Sequence, residues 1–129
     1  MDIAAFLLRK SKNRVSYRQK QNKGENKMAS FCINKDNFKA EVLESDKPVL
    51  LDFWASWCGP CRMVLPLVEE ISQERADVKV CKINVDEQPE LAAQFDVMTI
   101  PTLVVLKNGK ELTRASGARS KEAIEEMLP

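Results

Sequence analysis

Two of the four cysteines lie three positions apart, and this spacing points most directly to chemistry. Cys58 and Cys61 enclose Gly59 and Pro60, and apolar residues at helical spacing follow them. Two cysteines three apart at the start of a helix share one face, where they can close a small disulfide ring or stand open as a dithiol. The chain has no histidine, which excludes Cys–His and Ser–His nucleophile pairs. Proton transfer must therefore use a carboxylate, a thiol, a lysine or water.

The two cysteines are predicted to have different roles. Cys58 falls at the helix N-terminus, where unpaired backbone N–H groups and the helix dipole stabilise a thiolate, so it is the expected nucleophile. Cys61 lies one turn further into the helix and is expected to be more buried, which suits it to resolving a mixed disulfide by intramolecular attack. Gly59 and Pro60 give the turn a tight entry.

Asp52 is the one charged residue in the apolar run from Val49 to Ala55. A buried carboxyl group without a partner has a raised pKa, because burial destabilises its ionised form. Such a group would suit a proton acceptor. The alternative is a carboxylate at the strand end that faces solvent, since aspartate is mostly exposed in proteins.

The remaining cysteines, Cys32 and Cys81, have no comparable context. Cys81 is interpreted as a small buried hydrophobe, with a regulatory thiol as the alternative. One isolated Cys-x-x-Cys pair favours redox chemistry in a reducing compartment over a disulfide scaffold, and also over structural zinc, which needs four ligands. The charged residues of the helix that follows the pair are expected to form a solvated face: Glu69, Glu70, Glu74 and Arg75.

Alternating strands and helices must hold these residues in place. The apolar run at 49–55 predicts a strand that is buried on both faces and central, and a helix begins at the cysteine pair. Asn108-Gly109 predicts an antiparallel hairpin. Further strands are predicted at 31–33, 78–85, 102–107 and 110–116, and further helices after Asp36, at 89–95 and after Ser120. The order βαβαβαββα indicates an α/β fold of three layers, α/β/α, with a central mixed sheet of about five strands.

Charge is unevenly distributed along the 129-residue chain. Residues 1–27 contain eight lysines or arginines and two acidic residues, whereas the rest contains 12 basic and 17 acidic residues. The acidic remainder argues against a nucleic-acid partner, because a phosphate-binding surface shows clustered lysine and arginine. The length fits one domain, and 44% hydrophobic residues can form its core without disulfides.

Residues 1–27 are expected to be a basic extension to a domain that spans 28–129. Their polar composition is typical of disorder, and the apolar stretch at 3–8 precedes the basic run, which is the reverse of a secretory signal. We therefore expect a cytoplasmic protein without a membrane span, with an organellar presequence or a weak membrane-surface arm as alternatives. A further hypothesis is that translation begins at Met28, because residues 23–25 can be encoded by a bacterial ribosome-binding sequence.

The residues around the pair extend the motif well beyond two cysteines. Residues 52–61 are Asp-Phe-Trp-Ala-Ser-Trp-Cys-Gly-Pro-Cys, and this stretch closely resembles the thioredoxin family. The resemblance covers about residues 30–128, and nothing in it matches 1–27. Cys-x-x-Cys alone is a weak motif, whereas this extended form is highly specific. The match continues at Pro66, Lys82, Ile100-Pro101-Thr102, Asn108-Gly109 and Gly117.

The resemblance implies a thioredoxin fold and protein-disulfide reductase activity. It implies that Asp52 helps to deprotonate Cys61, with Lys82 on a neighbouring strand as the charge partner of Asp52. It also implies a cis Ile100–Pro101 bond facing the dithiol, where the backbone of Ile100 can pair with an extended substrate segment. From its type alone, Pro101 could simply be an edge-strand residue. The predicted substrate-contacting residues are Trp57, Gly59, Pro60, Ile100, Pro101 and Gly117.

The resemblance implies partners and an electron supply as well. Disulfide-containing proteins would be the targets, and a separate flavoprotein, thioredoxin reductase, would pass on electrons from NADPH to this monomeric carrier. The chain lacks a glycine-rich dinucleotide fingerprint, so no cofactor is expected to be bound, nor any metal. Two alternatives stay open: a non-catalytic thioredoxin-fold interaction subunit, and an oxidase or isomerase. Gly-Pro between the cysteines is the family's reductant-type dipeptide and disfavours the second.

Overall fold

A computed structural model describes residues 30–129 of the chain. The strands are β1 (Phe31–Cys32), β2 (Val49–Trp54), β3 (Lys79–Asn84), β4 (Thr102–Lys107) and β5 (Lys110–Ser116). The helices are α1 (Lys39–Leu43), α2 (Gly59–Glu74), α3 (Pro89–Gln94) and α4 (Lys121–Met127). This is the predicted order, with element ends that differ by a residue or two. The predictions for residues 1–27 lie outside the described residues.

The five strands form one mixed sheet in the order β1-β3-β2-β4-β5. β3 pairs in parallel with both β1 and β2, whereas β4 is antiparallel to β2 and to β5. β2 therefore lies in the middle of the sheet, as its apolar run predicts, and its residues from Val49 to Phe53 are all buried. A strand with paired neighbours on both sides and helices on both faces has no surface left for water.

Two helical layers cover the two faces of this sheet. Side chains of successive strand residues point to opposite faces, so Leu51 and Phe53 pack with α1 and α3, whereas Leu50 packs with α2 and α4. Asp52 shares the face of Leu50, beneath α2. The predicted three-layer architecture with a mixed five-stranded sheet is thus confirmed. Within residues 30–129, none of the helices has both the length and the apolar character needed to cross a bilayer.

The start of α1 differs from the prediction. The side chain of Asp36 does not cap this helix; instead, Oδ1 of Asn34 accepts a hydrogen bond from the backbone N–H of Asp36 at 2.8 Å. The helix is a short π-type turn in which the N–H of Glu44 donates to the carbonyl of Lys39 at 2.9 Å. Asparagine and aspartate both bond to nearby backbone amides, so residue type alone could not choose between them.

Two other local predictions are confirmed. Asn108 (φ 54°) and Gly109 (φ 78°) both have left-handed backbone, as a tight two-residue hairpin requires. The hydroxyl of Ser120 accepts a hydrogen bond from the N–H of Ala123 at 3.1 Å and caps α4. Ile124 then lies fully buried against the cluster formed by α2 and the sheet. It is the only fully buried residue of α4, so it fixes this helix to the domain.

We expect Ile124→Ala to destabilise the protein by about 2–4 kcal/mol, because a large-to-small change in a core leaves a cavity. Urea unfolding followed by circular dichroism measures the change. Glu126→Ala, on the exposed side of the same helix, should stay within about 0.5 kcal/mol of wild type. Equal unfolding midpoints for the two variants would contradict the anchoring role of Ile124.

Candidate active site

Cys58 and Cys61 form a disulfide at the start of α2, with their Cα atoms 5.3 Å apart. Cys58 has extended backbone (φ −89°, ψ 112°) and occupies the position that caps the helix. Its sulfur accepts a hydrogen bond from the backbone N–H of Cys61 at 3.2 Å. Pro60 lies in the first turn, where its missing N–H leaves no helical bond unmade. The sulfur of Cys58 is therefore held against a backbone amide in the first turn of α2.

The disulfide is largely covered by protein. Cys58 is 4% exposed and Cys61 is 1% exposed, so Cys61 is the more deeply buried of the two, as predicted. Ala55 is buried with them, and Trp54 packs against the same cluster. Of the two cysteines, Cys58 has the larger exposed fraction.

The segment before β4 lies against this sulfur. The carbonyl oxygen of Ile100 is 3.9 Å from Sγ of Cys58, and the Ile100–Pro101 bond is cis, as the resemblance implies. Thr102 holds this segment through a bond from its hydroxyl to the carbonyl of Thr99 at 2.7 Å. Gly117, with left-handed φ of 94°, donates its N–H to the carbonyl of Pro101 at 2.8 Å. The turn after β5 thus meets the turn before β4 beside the disulfide.

An apolar groove of about 310 Å³ is lined by Trp57, which precedes Cys58 in the chain, and by Ile100, whose carbonyl lies against Sγ of Cys58. Trp57 is 65% exposed, yet its indole N–H donates to a carboxylate oxygen of Asp86 at 2.8 Å, which fixes the orientation of the ring. Met98, which also lines the groove, is 88% exposed. Of the other predicted contact residues, Gly59 and Pro60 are exposed in the first turn of α2.

Asp52 is completely buried, and neither of its carboxylate oxygens has a hydrogen-bond partner among residues 30–129. The alternative of a solvent-facing carboxylate is therefore wrong. Burial raises the pKa of Asp52 from 3.8 to about 7; the positive charge of Lys82 opposes this increase and the negative charge of Glu69 adds to it. Desolvation outweighs the attraction of the lysine, so the group can gain or lose a proton near neutral pH.

Lys82 lies opposite Asp52 in the register of β2 and β3. Its ammonium group, however, forms its ion pair with Glu69 on α2, at 3.0 Å. The same oxygen of Glu69 accepts a hydrogen bond from the hydroxyl of Ser30. Lys82 thus acts on Asp52 through the electric field of its positive charge, whereas its ion pair is with Glu69.

Glu69 corrects the prediction of a wholly solvated helix face. Its side chain is only 17% exposed, whereas Glu70 and Glu74 are about half exposed and pair with Lys121 on the surface. Arg75 pairs with the neighbouring Asp77. One sequence feature could have revealed Glu69: Lys82 lies among the apolar residues Val80, Cys81 and Ile83 of its strand, and a cation buried there requires a counter-ion.

The other two cysteines do not join the site. Cys81 is buried, and burial raises the pKa of its thiol to about 12, so it stays protonated and packs as a small hydrophobe, as predicted. Cys32 is a free, exposed cysteine on β1. In the part of the chain from 30 to 129, no cluster of three or more histidine, cysteine or acidic side chains could hold a metal ion.

Comparison with known proteins matches this chain to a family. The family model described as Thioredoxin matches residues 29–129. Thioredoxin from Mycobacterium tuberculosis (strain ATCC 25618 / H37Rv) is 50% identical over 99 residues, which is 76% of this chain and 85% of that protein. Thioredoxin 1 from Synechococcus elongatus is 52% identical over 98 residues, or 75% of this chain and 92% of the relative. Thioredoxin 1 from Nostoc sp. is 47% identical over 101 residues, covering 78% and 94%.

The family match spans the whole described domain and therefore includes the cysteine pair, the buried aspartate and the segment before β4. With its disulfide-forming pair at the start of α2, the chain belongs to the thioredoxin family of thiol–disulfide oxidoreductases, which reduce disulfide bonds in other proteins.

Proposed function

We propose that Cys58 is the nucleophile that opens the target disulfide. In the reduced protein its thiolate attacks one sulfur of the target, a mixed disulfide forms, and the other target sulfur leaves as a thiolate. The observation that carries this assignment is the hydrogen bond from the N–H of Cys61 to Sγ of Cys58. A bond of this kind is stronger to a thiolate than to a thiol, so it favours the reactive form.

Cys61 would complete the reaction as the resolving cysteine. Its thiol loses a proton, and the resulting thiolate attacks Sγ of Cys58. The mixed disulfide breaks, the second target sulfur leaves and takes up a proton, and Cys58–Cys61 becomes the disulfide. Two electrons thus pass from the protein dithiol to the target. The short distance between the two Cα atoms, 5.3 Å, supports this second step as an intramolecular one.

Asp52 would accept the proton from Cys61. Cys61 lies in the first turn of α2, the helix that packs on the sheet face of Asp52, and Asp52 has a pKa of about 7 because of its burial. A base works best when its pKa lies near the working pH. Lys82 would act as the charge partner that limits how far burial raises the pKa of Asp52.

The groove beside the disulfide would bind an extended segment of the target. Trp57 and Ile100 offer apolar surface there, and the backbone of Ile100 next to the cis Pro101 can hydrogen-bond to the segment as a short added strand. Gly59 and Pro60 would border the segment at the start of α2. Gly117, which carries no side chain beside Pro101, would leave room for it.

The supporting system is proposed from the family. A flavoprotein thioredoxin reductase would return the disulfide to the dithiol with electrons from NADPH, and this chain would act as a monomeric electron carrier in the cytoplasm. The functional domain would comprise residues 28–129, in accord with a family match that begins at residue 29. Residues 1–27 would then be an addition that the reaction does not require.

Cys58→Ser should abolish disulfide reduction, with a loss of at least about 100-fold, because the nucleophile is gone. Reductive precipitation of insulin with dithiothreitol as the electron source measures this loss. Cys32→Ser, at an exposed cysteine outside the site, is the matched control and should keep full activity. If Cys58→Ser is as active as wild type, the non-catalytic interaction subunit is the better description.

Asp52→Asn should slow the resolution of the mixed disulfide by about tenfold to 100-fold above pH 7, since an amide cannot take the proton. In the wild type, the rate should fall as the pH drops through about 7, where Asp52 becomes protonated. Rapid-mixing fluorescence of a single turnover, repeated from pH 5.5 to 8.5, gives both results. A wild-type rate without this pH dependence would remove the proposed role.

Asp52→Asn should also stabilise the oxidised protein at alkaline pH. The pKa of Asp52 is about 7 in the folded state, against 3.8 for an unperturbed aspartate, so the folded state binds the proton more tightly than the unfolded state does. The free energy of unfolding therefore decreases as pH rises from about 4 to about 7, by up to about 4 kcal/mol.

Urea unfolding at pH 4 and pH 8 tests this expectation. Wild type should lose stability between the two values, and Asp52→Asn should exceed it by about 2–4 kcal/mol at pH 8 but by little at pH 4. The exposed Asp46 provides the control: Asp46→Asn should follow wild type at both pH values. A wild-type protein that is more stable at pH 8 than Asp52→Asn would contradict the expectation.

A further inference from the structure

Three charged side chains lie close together between the sheet and α2: Asp52, Lys82 and Glu69. Asp52 is fully buried, Lys82 is 7% exposed, and the side chain of Glu69 is 17% exposed. The hydrogen bonds among them are unequal. Lys82 is paired with Glu69 at 3.0 Å, whereas neither oxygen of Asp52 has a partner in the described part of the chain.

Glu69 is itself held in place. Its Oε2 accepts hydrogen bonds from both Lys82 and the hydroxyl of Ser30, and its backbone lies within the helical span of α2. Its Oε1 is buried without a partner, so the carboxylate depends on Oε2 for its stabilisation. A buried ammonium group must have an acceptor. Without Glu69, the carboxylate that faces Lys82 across the strand pair is Asp52.

We propose that Glu69 is a positioning residue for the disulfide reaction: it holds the ammonium group of Lys82 away from Asp52, so that Asp52 keeps its proton-accepting capacity without an ion-pair partner. This inference rests on the proposed role of Asp52 as proton acceptor. Glu69 touches neither sulfur, and it acts through Lys82.

Among the described residues, the charged groups that act on Asp52 are Lys82 and Glu69. The direction in which loss of Glu69 shifts the titration of Asp52 is therefore clear. β3 contributes Lys82, α2 contributes Glu69, and β4 places the uncharged Leu103 opposite Asp52. The cysteine pair, when oxidised, carries no charge. Loss of the Glu69 charge leaves one cation beside Asp52, and both the freed ammonium group and the missing negative charge favour the ionised carboxylate.

The test is the titration midpoint of the Asp52 side-chain carboxyl carbon, followed by NMR in the oxidised protein with carbon-13-labelled aspartate. In Glu69→Gln, which keeps the shape of the side chain, the midpoint should fall by about one pH unit or more, as expected for a carboxylate that gains a close cation. Glu70→Gln, a neighbouring change at an exposed residue that pairs with Lys121, should leave the midpoint unchanged. An unchanged or raised midpoint in Glu69→Gln overturns the proposal.

A double-mutant cycle shows whether Glu69 acts through Lys82. In a Lys82→Met background there is no ammonium group to release, so the additional change Glu69→Gln should shift the Asp52 midpoint by less than half as much as it does alone. A shift of equal size in both backgrounds would mean that Glu69 acts only through its own field, and would overturn the positioning role.

Glu69→Asp provides a second test in case Glu69→Gln does not fold, because the aspartate retains the negative charge. The shorter side chain draws the carboxylate back from Lys82, so the midpoint should fall by a smaller amount in the same direction. No fall in a natively folded Glu69→Asp, combined with an unfolded Glu69→Gln, would assign Glu69 to stability alone and overturn the proposal.

The same variants provide a kinetic measurement. The pH profile for resolution of the mixed disulfide should move to lower pH in Glu69→Gln by the amount that the NMR midpoint moves. The NMR midpoint needs no turnover, so it tests the positioning of Lys82 even if Asp52 proves not to be the base. Failure of the proton-acceptor role appears separately, as an Asp52→Asn variant with an unaltered pH profile.

Discussion

The carboxyl group of Asp52 is buried away from water, and within residues 30–129 no hydrogen bond replaces those that water would make. This unfavourable burial is the constraint on which the site depends. The two opposing influences on the group are desolvation and the charge of Lys82, and desolvation is the larger. A direct ion pair between Lys82 and Asp52 would make the charge of the lysine the larger influence, because an opposite charge at contact distance lowers the pKa of a carboxylate. The structure instead directs the lysine to Glu69.

The chain topology explains why the reactive groups meet at one edge of the sheet. β2 and β3 are parallel, so their carboxyl ends lie together, and the chain leaves β2 to begin α2 there. β4 is antiparallel to β2, so its first residue, next to the cis Pro101, lies at this same edge. β5 ends there as well, which brings Gly117 to Pro101. Four connecting segments therefore lie around the disulfide. The sheet contributes the buried charged side chains beneath it.

The sequence predicts this architecture well where short segments decide the structure. The apolar run of β2, the Asn108-Gly109 hairpin and the Ser120 cap depend on residues within a few positions of one another, and all three are confirmed. The cysteine pair is equally local. The ion pair between Glu69 and Lys82 joins positions on two elements, and helix periodicity alone gives no indication that Glu69 is buried. The hydrogen bond to the side chain of Asn34 could not be predicted for a different reason. Several polar residues there could each bond to the same backbone amides.

The burial of the two sulfurs also supports the order of the chemical steps in the proposed mechanism, in which Cys58 attacks first and Cys61 second. Cys58 receives a backbone N–H bond at the start of α2, so its thiolate is stabilised without any base. Cys61 makes no such contact with its sulfur among the hydrogen bonds of residues 30–129, and its 1% exposure leaves little access to water. A thiol in that position needs a nearby base, and it needs one only after the mixed disulfide has formed. In the proposed mechanism the first attack would therefore depend on the helix, and the second would depend on Asp52, whose burial gives it a pKa of about 7.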